Sequence, residues 1–193
     1  MSSLKERIDQ LERDLRAIPM RISAYHDLPF AILRYDAEDE WDLRREAKHL
    51  ATRLGNAGKE GHVISLSDLL WEAVDRSEGL EAVVDLERSR GFDTAQAQVT
   101  TYLSDPDWSE LPDMLAERLR PLDPARHVAF LLRASAMAPA IYHLSRLLDE
   151  MHGRTQVPTI LFYPGKLEGA NGLRFMGLAS RETTGNYRVK IYG

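Results

Sequence analysis

Leu4, Ile8, Leu11, Leu15 and Ile18 recur at spacings of 4, 3, 4 and 3, with charged residues filling the positions between them. That is an a/d stripe on a helix. Two heptads are too short to hold a coiled coil alone, so the stripe must dock. It packs on its own domain, on a partner helix or on a second copy of the chain. In the last two cases these five residues are the candidate partner-binding surface.

After Pro19 and the His26-Asp27-Leu28-Pro29 turn, Phe30–Tyr35 is an apolar, aromatic run that reads as a strand. It ends at Asp36, and Glu38, Asp39, Glu40 and Asp42 then suit the first turn of a helix, where the dipole favours negative charge. That helix presents Leu43, Ala47, Leu50 and Leu54 on one face and stops at Gly55-Asn56. His62–Leu66 reads as a second strand, with Ser67 as cap of a helix whose inner face is Leu70, Ala73 and Val74. Residues 79–104 read as helix in two pieces broken near Gly91. A further helix starts near Leu111 and ends before Pro121.

His127–Leu132 is nearly all apolar, as a central parallel strand should be. A small-residue turn, Arg133–Ala136, leads to a helix through Pro139 to about Met151. Val157–Tyr163 reads as the fourth strand, ended by Pro164-Gly165. The runs 173–178 and 187–192 suit an antiparallel hairpin at a sheet edge. The pattern predicts one α/β domain over 1–193: a mainly parallel, Rossmann-like three-layer sheet between helices, with right-handed crossovers and an antiparallel C-terminal edge. The amphipathic helix over 1–20 lies at its periphery. The strand order is not legible from this pattern.

Composition narrows the class. Apolar residues make up 44% and charged residues 28%, which fits a globular core rather than disorder. There is no cysteine, which excludes disulfides, thiolate metal sites and cysteine nucleophiles. The N-terminus has no secretory pattern and no apolar run is long enough to span a bilayer, so a cytoplasmic protein without membrane contact is the expectation. The net charge of −5 conceals an asymmetry: residues 120–193 carry 10 Lys/Arg against 5 Asp/Glu, while the rest is strongly acidic. Arg120, Arg126, Arg133, Arg146, Arg154, Lys166, Arg174, Arg181, Arg188 and Lys190 offer a modest basic face, but they do not cluster in sequence. A mixed, solvated surface accounts for them better than DNA contact does.

Ligands of open α/β sheets sit at the carboxyl ends of the strands. Those positions hold Tyr35 with Asp36, Ser67 with Asp68, Arg133 with Ser135, and Tyr163 with Gly165. Asp36, Ser67, Arg133, Ser135, Tyr163 and Gly165 are therefore the candidate ligand-binding set, although each also has a structural use as helix start, cap or turn. No phosphate-binding loop, dinucleotide fingerprint, nucleophile elbow or catalytic triad is present, so no catalytic residue and no cofactor is expected. The stretch from Gly165 to Gly172 precedes a strand rather than a helix and reads as a hairpin or loop. The six histidines form no HxH, HExxH or helical pair, and the Glu38–Asp42 acids read as a solvated first turn, so no metal site is expected. Trp41, Trp71 and Trp108 read as packing residues, and any one left exposed is a candidate partner anchor.

With these segments placed, the chain resembles the BrxB-type proteins of bacteriophage exclusion (BREX) defence systems over nearly its whole length. The resemblance rests on the opening amphipathic helix, on Leu28-Pro29-Phe30 running into Tyr35-Asp36, and on Val128–Leu132 followed by Pro139 and Leu147-Leu148. Its most specific part is the strand Val157–Tyr163 delivering Phe-Tyr-Pro-Gly, followed by Leu173–Met176 and Asn186-Tyr187-Arg188. The turn at Arg133–Ala136 departs from the glycine-rich form found in many members, which puts a small-ligand role for that loop in doubt.

The resemblance implies a non-catalytic adaptor or scaffold within a defence assembly, associated with the phosphatase-like PglZ component. Two other readings stay open. One is an enzyme or nucleotide sensor using the strand-end residues. The other is an accessory subunit touching DNA through the basic C-terminal third.

Overall fold

The computed structural model describes residues 2–22, 29–138, 141–168, 172–178 and 189–193. The chain forms α1 (Leu4–Arg16), β1 (Phe30–Tyr35), α2 (Glu40–Gly55), β2 (Glu60–Ser65) and α3 (Leu66–Arg76). It continues with α4 (Gly79–Arg90), α5 (Phe92–Ser104), α6 (Leu111–Leu119), β3 (His127–Leu132) and α7 (Leu144–Glu150). β4 (Thr159–Glu168), β5 (Gly172–Phe175) and β6 (Lys190–Tyr192) complete it, with 3-10 turns at Ala37–Asp39 and Ala134–Met137.

Among the described residues five strands run parallel in the order β2-β3-β4-β1-β6, and β5 pairs antiparallel with the far end of β4. The period-2 alternation of each strand divides the core between the two faces. On one face Ala31, Leu33, Tyr35, Phe130, Ile160 and Phe162 meet Leu43, Ala47, Leu50 and Leu54 of α2 and Ile8, Leu11 and Leu15 of α1. The rings of Phe130 and Phe162 meet edge to face at 5.6 Å there. On the other face Phe30, Ile32, Ala129, Leu131 and Leu161 pack against α3, α5, α6 and α7. The expected three-layer α/β architecture is what forms. β1 is buried throughout, which is why it reads as a continuous apolar run.

Four local expectations change. The cap of α3 is Ser65, whose hydroxyl accepts the Asp68 N–H at 3.2 Å, because β2 starts and ends earlier than the apolar run suggests. Ser67 is instead buried inside the first turn. Pro164-Gly165 does not end β4. Pro164 falls where the strand exchanges partners, Tyr35 pairing with Pro164 and Phe175 with Gly165, and the Pro164 carbonyl accepts the Met176 N–H at 2.9 Å. A proline is tolerated at such a transition because its missing N–H interrupts no continuous ladder. The helix expected through Pro139 begins only at Leu144, and Pro139 itself lies outside the described residues. Finally, the antiparallel pairing expected at the C-terminal end involves β4 and β5, whereas β6 lies parallel beside β1. Alternation marks a strand but not the direction of its neighbour. The turn at 26–28 and the segment 186–188 lie outside the described residues.

The stripe of α1 packs on the chain's own sheet. Ile8, Leu11 and Leu15 are buried, Leu4 packs partly against the same core, and Ile18 is exposed. A capping box starts the helix: Glu6 N–H donates to Ser3 Oγ at 3.2 Å, and Ser3 N–H donates to Glu6 Oε2 at 2.7 Å. Asp14 then ties α1 to β6, accepting from Lys190 Nζ at 2.6 Å and from the Tyr192 hydroxyl at 2.9 Å. Burial opposes ionisation of Asp14, but these two hydrogen bonds, the charge of Lys190 and a hydrogen bond from Gln10 together outweigh it and hold the carboxyl below its ordinary range.

Candidate functional site

At the carboxyl ends of β1 and β4 the neighbouring strands part. β1 turns into α2, while β4 runs on into its hairpin with β5. A cleft of about 240 Å³ opens there, lined by Asp36, Glu38, Gly165, Lys166, Met176 and Gly177. Arg34 lies behind its wall, almost wholly buried, with Nη1 donating to Asp36 Oδ1 at 2.7 Å and to the Gly165 carbonyl at 3.4 Å. Its Nε has no hydrogen-bond partner among the described residues. Gly165 is required by close approach, since a Cβ there would overlap the Arg174 carbonyl oxygen.

Arg7 of α1 is buried close by. Desolvation lowers its pKa, and the like charge of Arg34 lowers it further, against the carboxylates of Asp36, Asp39 and Glu6. The two guanidiniums and their carboxylates thus form a polar knot joining α1, β1 and the start of α2.

Of the six residues singled out at the strand ends, Asp36 and Gly165 line this cleft and the other four do not. Tyr163 is a core residue whose ring meets Phe175 edge to face at 5.5 Å and whose hydroxyl donates to the Leu173 carbonyl at 3.4 Å. Ser67 is buried in α3. Arg133 pairs with Asp68 at 3.3 Å, and Ser135 sits in the 3-10 turn, where its carbonyl accepts the Ala138 N–H. Arg133 carries φ 60° and ψ 36°, a left-handed backbone that glycine adopts without strain. The turn after β3 therefore keeps a glycine-type conformation without the glycine.

A second grouping lies at the opposite, amino end of the sheet. Register pairs Glu60 of β2 with His127 of β3, and His62 follows two residues along the same face. The ring centroids of His62 and His127 are 4.7 Å apart. Glu60, His62 and His127 place one potential metal-ligating atom each within 4.8 Å of one another. Spacing along the chain gives no sign of this, because the register of β2 on β3 assembles it. The one available hint is that each histidine precedes an apolar run in the sequence, His62 before Val63-Ile64 and His127 before Val128.

Charge is distributed differently from its sequence asymmetry. Arg126 pairs with Glu60, Arg133 with Asp68, Arg154 with Asp113 and Lys190 with Asp14. Cations of the last third thus meet carboxylates of the acidic part. Exposed apolar side chains include Trp41 at 76%, Trp71 at 50% and Phe92 at 56%. Trp41 is backed by the Arg44 guanidinium, 4.7 Å from the ring centroid. Among the described residues no helix is long and apolar enough to cross a membrane.

A family model described as BREX protein BrxB matches residues 62–191, two thirds of the chain. The curated proteins yield no match, and neither do the solved structures.

Proposed function

We propose, starting from the fact that the chain belongs to the BrxB family of BREX proteins, that it works as a non-catalytic adaptor. In this reading it holds a larger component of the defence assembly, a PglZ-like protein first among the candidates. The observation that carries the reading is how the strand-end polar groups are used. Arg34 with Asp36 and Arg133 with Asp68 are joined as separate ion pairs, and Tyr163 packs in the core, so these groups do not converge on one reacting position. Exposed tryptophans on the flanking helices supply the other requirement, apolar anchors for a partner.

Recovery of a tagged chain from its native operon tests this. Enrichment of a PglZ-like or other defence component is the expected result, and recovery of none of them would sink the adaptor reading.

The cleft at Asp36 and Gly165 supports a second reading, a small-ligand sensor. Its volume is near the lower end of ligand pockets, usually about 300 Å³ and above. A raised melting temperature with nucleotides is what that reading requires. DNA contact finds less support, since among the described residues six of the basic side chains it would use face carboxylates. It calls for low-salt DNA binding that collapses as salt is added.

A further inference from the structure

We propose that Glu60, His62 and His127 form a binding site for a divalent transition ion of the zinc class. Two imidazoles and one carboxylate are a donor set that such ions prefer, and hard cations such as magnesium do not. Glu60 Oε2 lies 3.6 Å from His127 Nε2 and 4.0 Å from His62 Nε2. Zinc at about 2.0–2.1 Å from each ligand in tetrahedral geometry needs ligand atoms about 3.3–3.4 Å apart, so small side-chain rotations close the set.

An independent observation points the same way. His62 Nε2 is buried and has no hydrogen-bond partner among the described residues. A buried nitrogen left unpaired is costly, and a cation at the shared position satisfies it. The other carboxylate oxygen, Glu60 Oε1, is held by Arg126 at 3.3 Å, which leaves Oε2 directed at the imidazoles. Three protein ligands leave the fourth tetrahedral position open, for water or for a side chain of a partner. The site lies on edge strand β2, at the amino end of the sheet and apart from the strand-end cleft.

His127 supplies a specific signature. Its Nδ1 accepts the Asp123 N–H at 2.9 Å, which puts the ring proton on Nε2. Coordination through Nε2 moves that proton to Nδ1 and releases the Asp123 amide. Ion binding at this site must therefore change the environment of Asp123, whereas binding at any other histidine need not.

The test is titration of the full chain with Zn²⁺ alone, by calorimetry and by amide NMR. One ion per chain is expected, with a shift of the Asp123 amide. Glu60→Gln and His62→Ala should each weaken binding by roughly tenfold or more, at least the loss seen when an outer-shell partner is removed. Glu60 is the most exposed of the three, so its variant keeps the test valid should His62→Ala fold poorly. No saturable binding, or binding unchanged by Glu60→Gln with a stationary Asp123 amide, overturns the proposal.

Discussion

Four buried tyrosines use the same device at the scale of single residues. Tyr35 donates to Glu40, Tyr102 to Glu78 at 2.5 Å, Tyr142 to Glu150 at 2.7 Å and Tyr192 to Asp14. Burial, then the carboxylate partner, raises each phenol above its ordinary value, Tyr102 to about 12 and the others further. A pKa raised by folding means that the native state holds the proton more tightly. The associated stability is fully present below the unfolded value of about 10 and is lost as pH climbs through the folded values. Denaturant midpoints should thus fall steadily above about pH 10, as these four phenols ionise more readily in the unfolded chain than in the folded one. Asp14 behaves in the opposite sense. Its lowered pKa gives stability that is present above the ordinary carboxyl range and lost as pH falls through the folded value. Tyr192→Phe removes one of its donors and should cost about 1–2 kcal/mol, with acid unfolding beginning at a higher pH. At Arg133 the left-handed backbone makes the usual hierarchy run backwards. Its exposed pair with Asp68 contributes little, so Arg133→Gly should be neutral or stabilising by up to about 1 kcal/mol, while Arg133→Val should destabilise by more than that, both read from denaturant melts.

Among the elements, α1 and the β4–β5 hairpin make the sharpest predictions. Leu11 is fully buried between α1 and the sheet, so Leu11→Ala should cost about 3 kcal/mol. A helix held only by an external partner would lose far less in the isolated chain, and chemical denaturation separates the two. Gly165→Ala drives a methyl into the Arg174 carbonyl and should cost about 2 kcal/mol or more, loosening β5 first. Amide exchange at Leu173–Phe175 would report that loosening.

These elements also mark where the sequence was readable. The buried runs of β1, β3 and β4, the break at Gly91 between α4 and α5, and the inner face of α2 announce themselves in one dimension, because burial imposes a period or an unbroken apolar run. The α3 cap at Ser65 rather than Ser67 and the passage of β4 through Pro164-Gly165 were hidden. Each is decided by a partner strand, and no local pattern names the partner. Asp36 and Gly165 were legible as strand-end residues. Arg34 behind them was not, since an arginine inside an apolar run carries no mark of its burial. The grouping of Glu60, His62 and His127 depends wholly on the register of β2 on β3.

For the molecule as a whole, two helical layers cover the sheet and each leaves a tryptophan in solvent, Trp41 on α2 and Trp71 on α3. If the chain works as the adaptor proposed above, they distinguish which layer meets the partner. The α1 stripe is largely committed to the core, and in the adaptor role proposed above Trp41 is the better anchor. It is the more exposed of the two, the Arg44 guanidinium stacks on its ring, and it stands beside the acidic turn that rims the Asp36 cleft. A ring already held in place loses little freedom on docking, which is what makes a large aromatic a binding hot spot. Trp41→Ala should leave the melting temperature within a degree or so of the parent, because an exposed ring contributes little to the fold. In the proposed adaptor role it should nevertheless weaken capture of the proposed defence partner by roughly thirtyfold, the equivalent of about 2 kcal/mol. Trp71→Ala is the internal comparison, with near-parental capture expected. The reverse ranking would move the interface to the α3 layer, and equal, full capture by both variants would take the tryptophans out of the interface altogether.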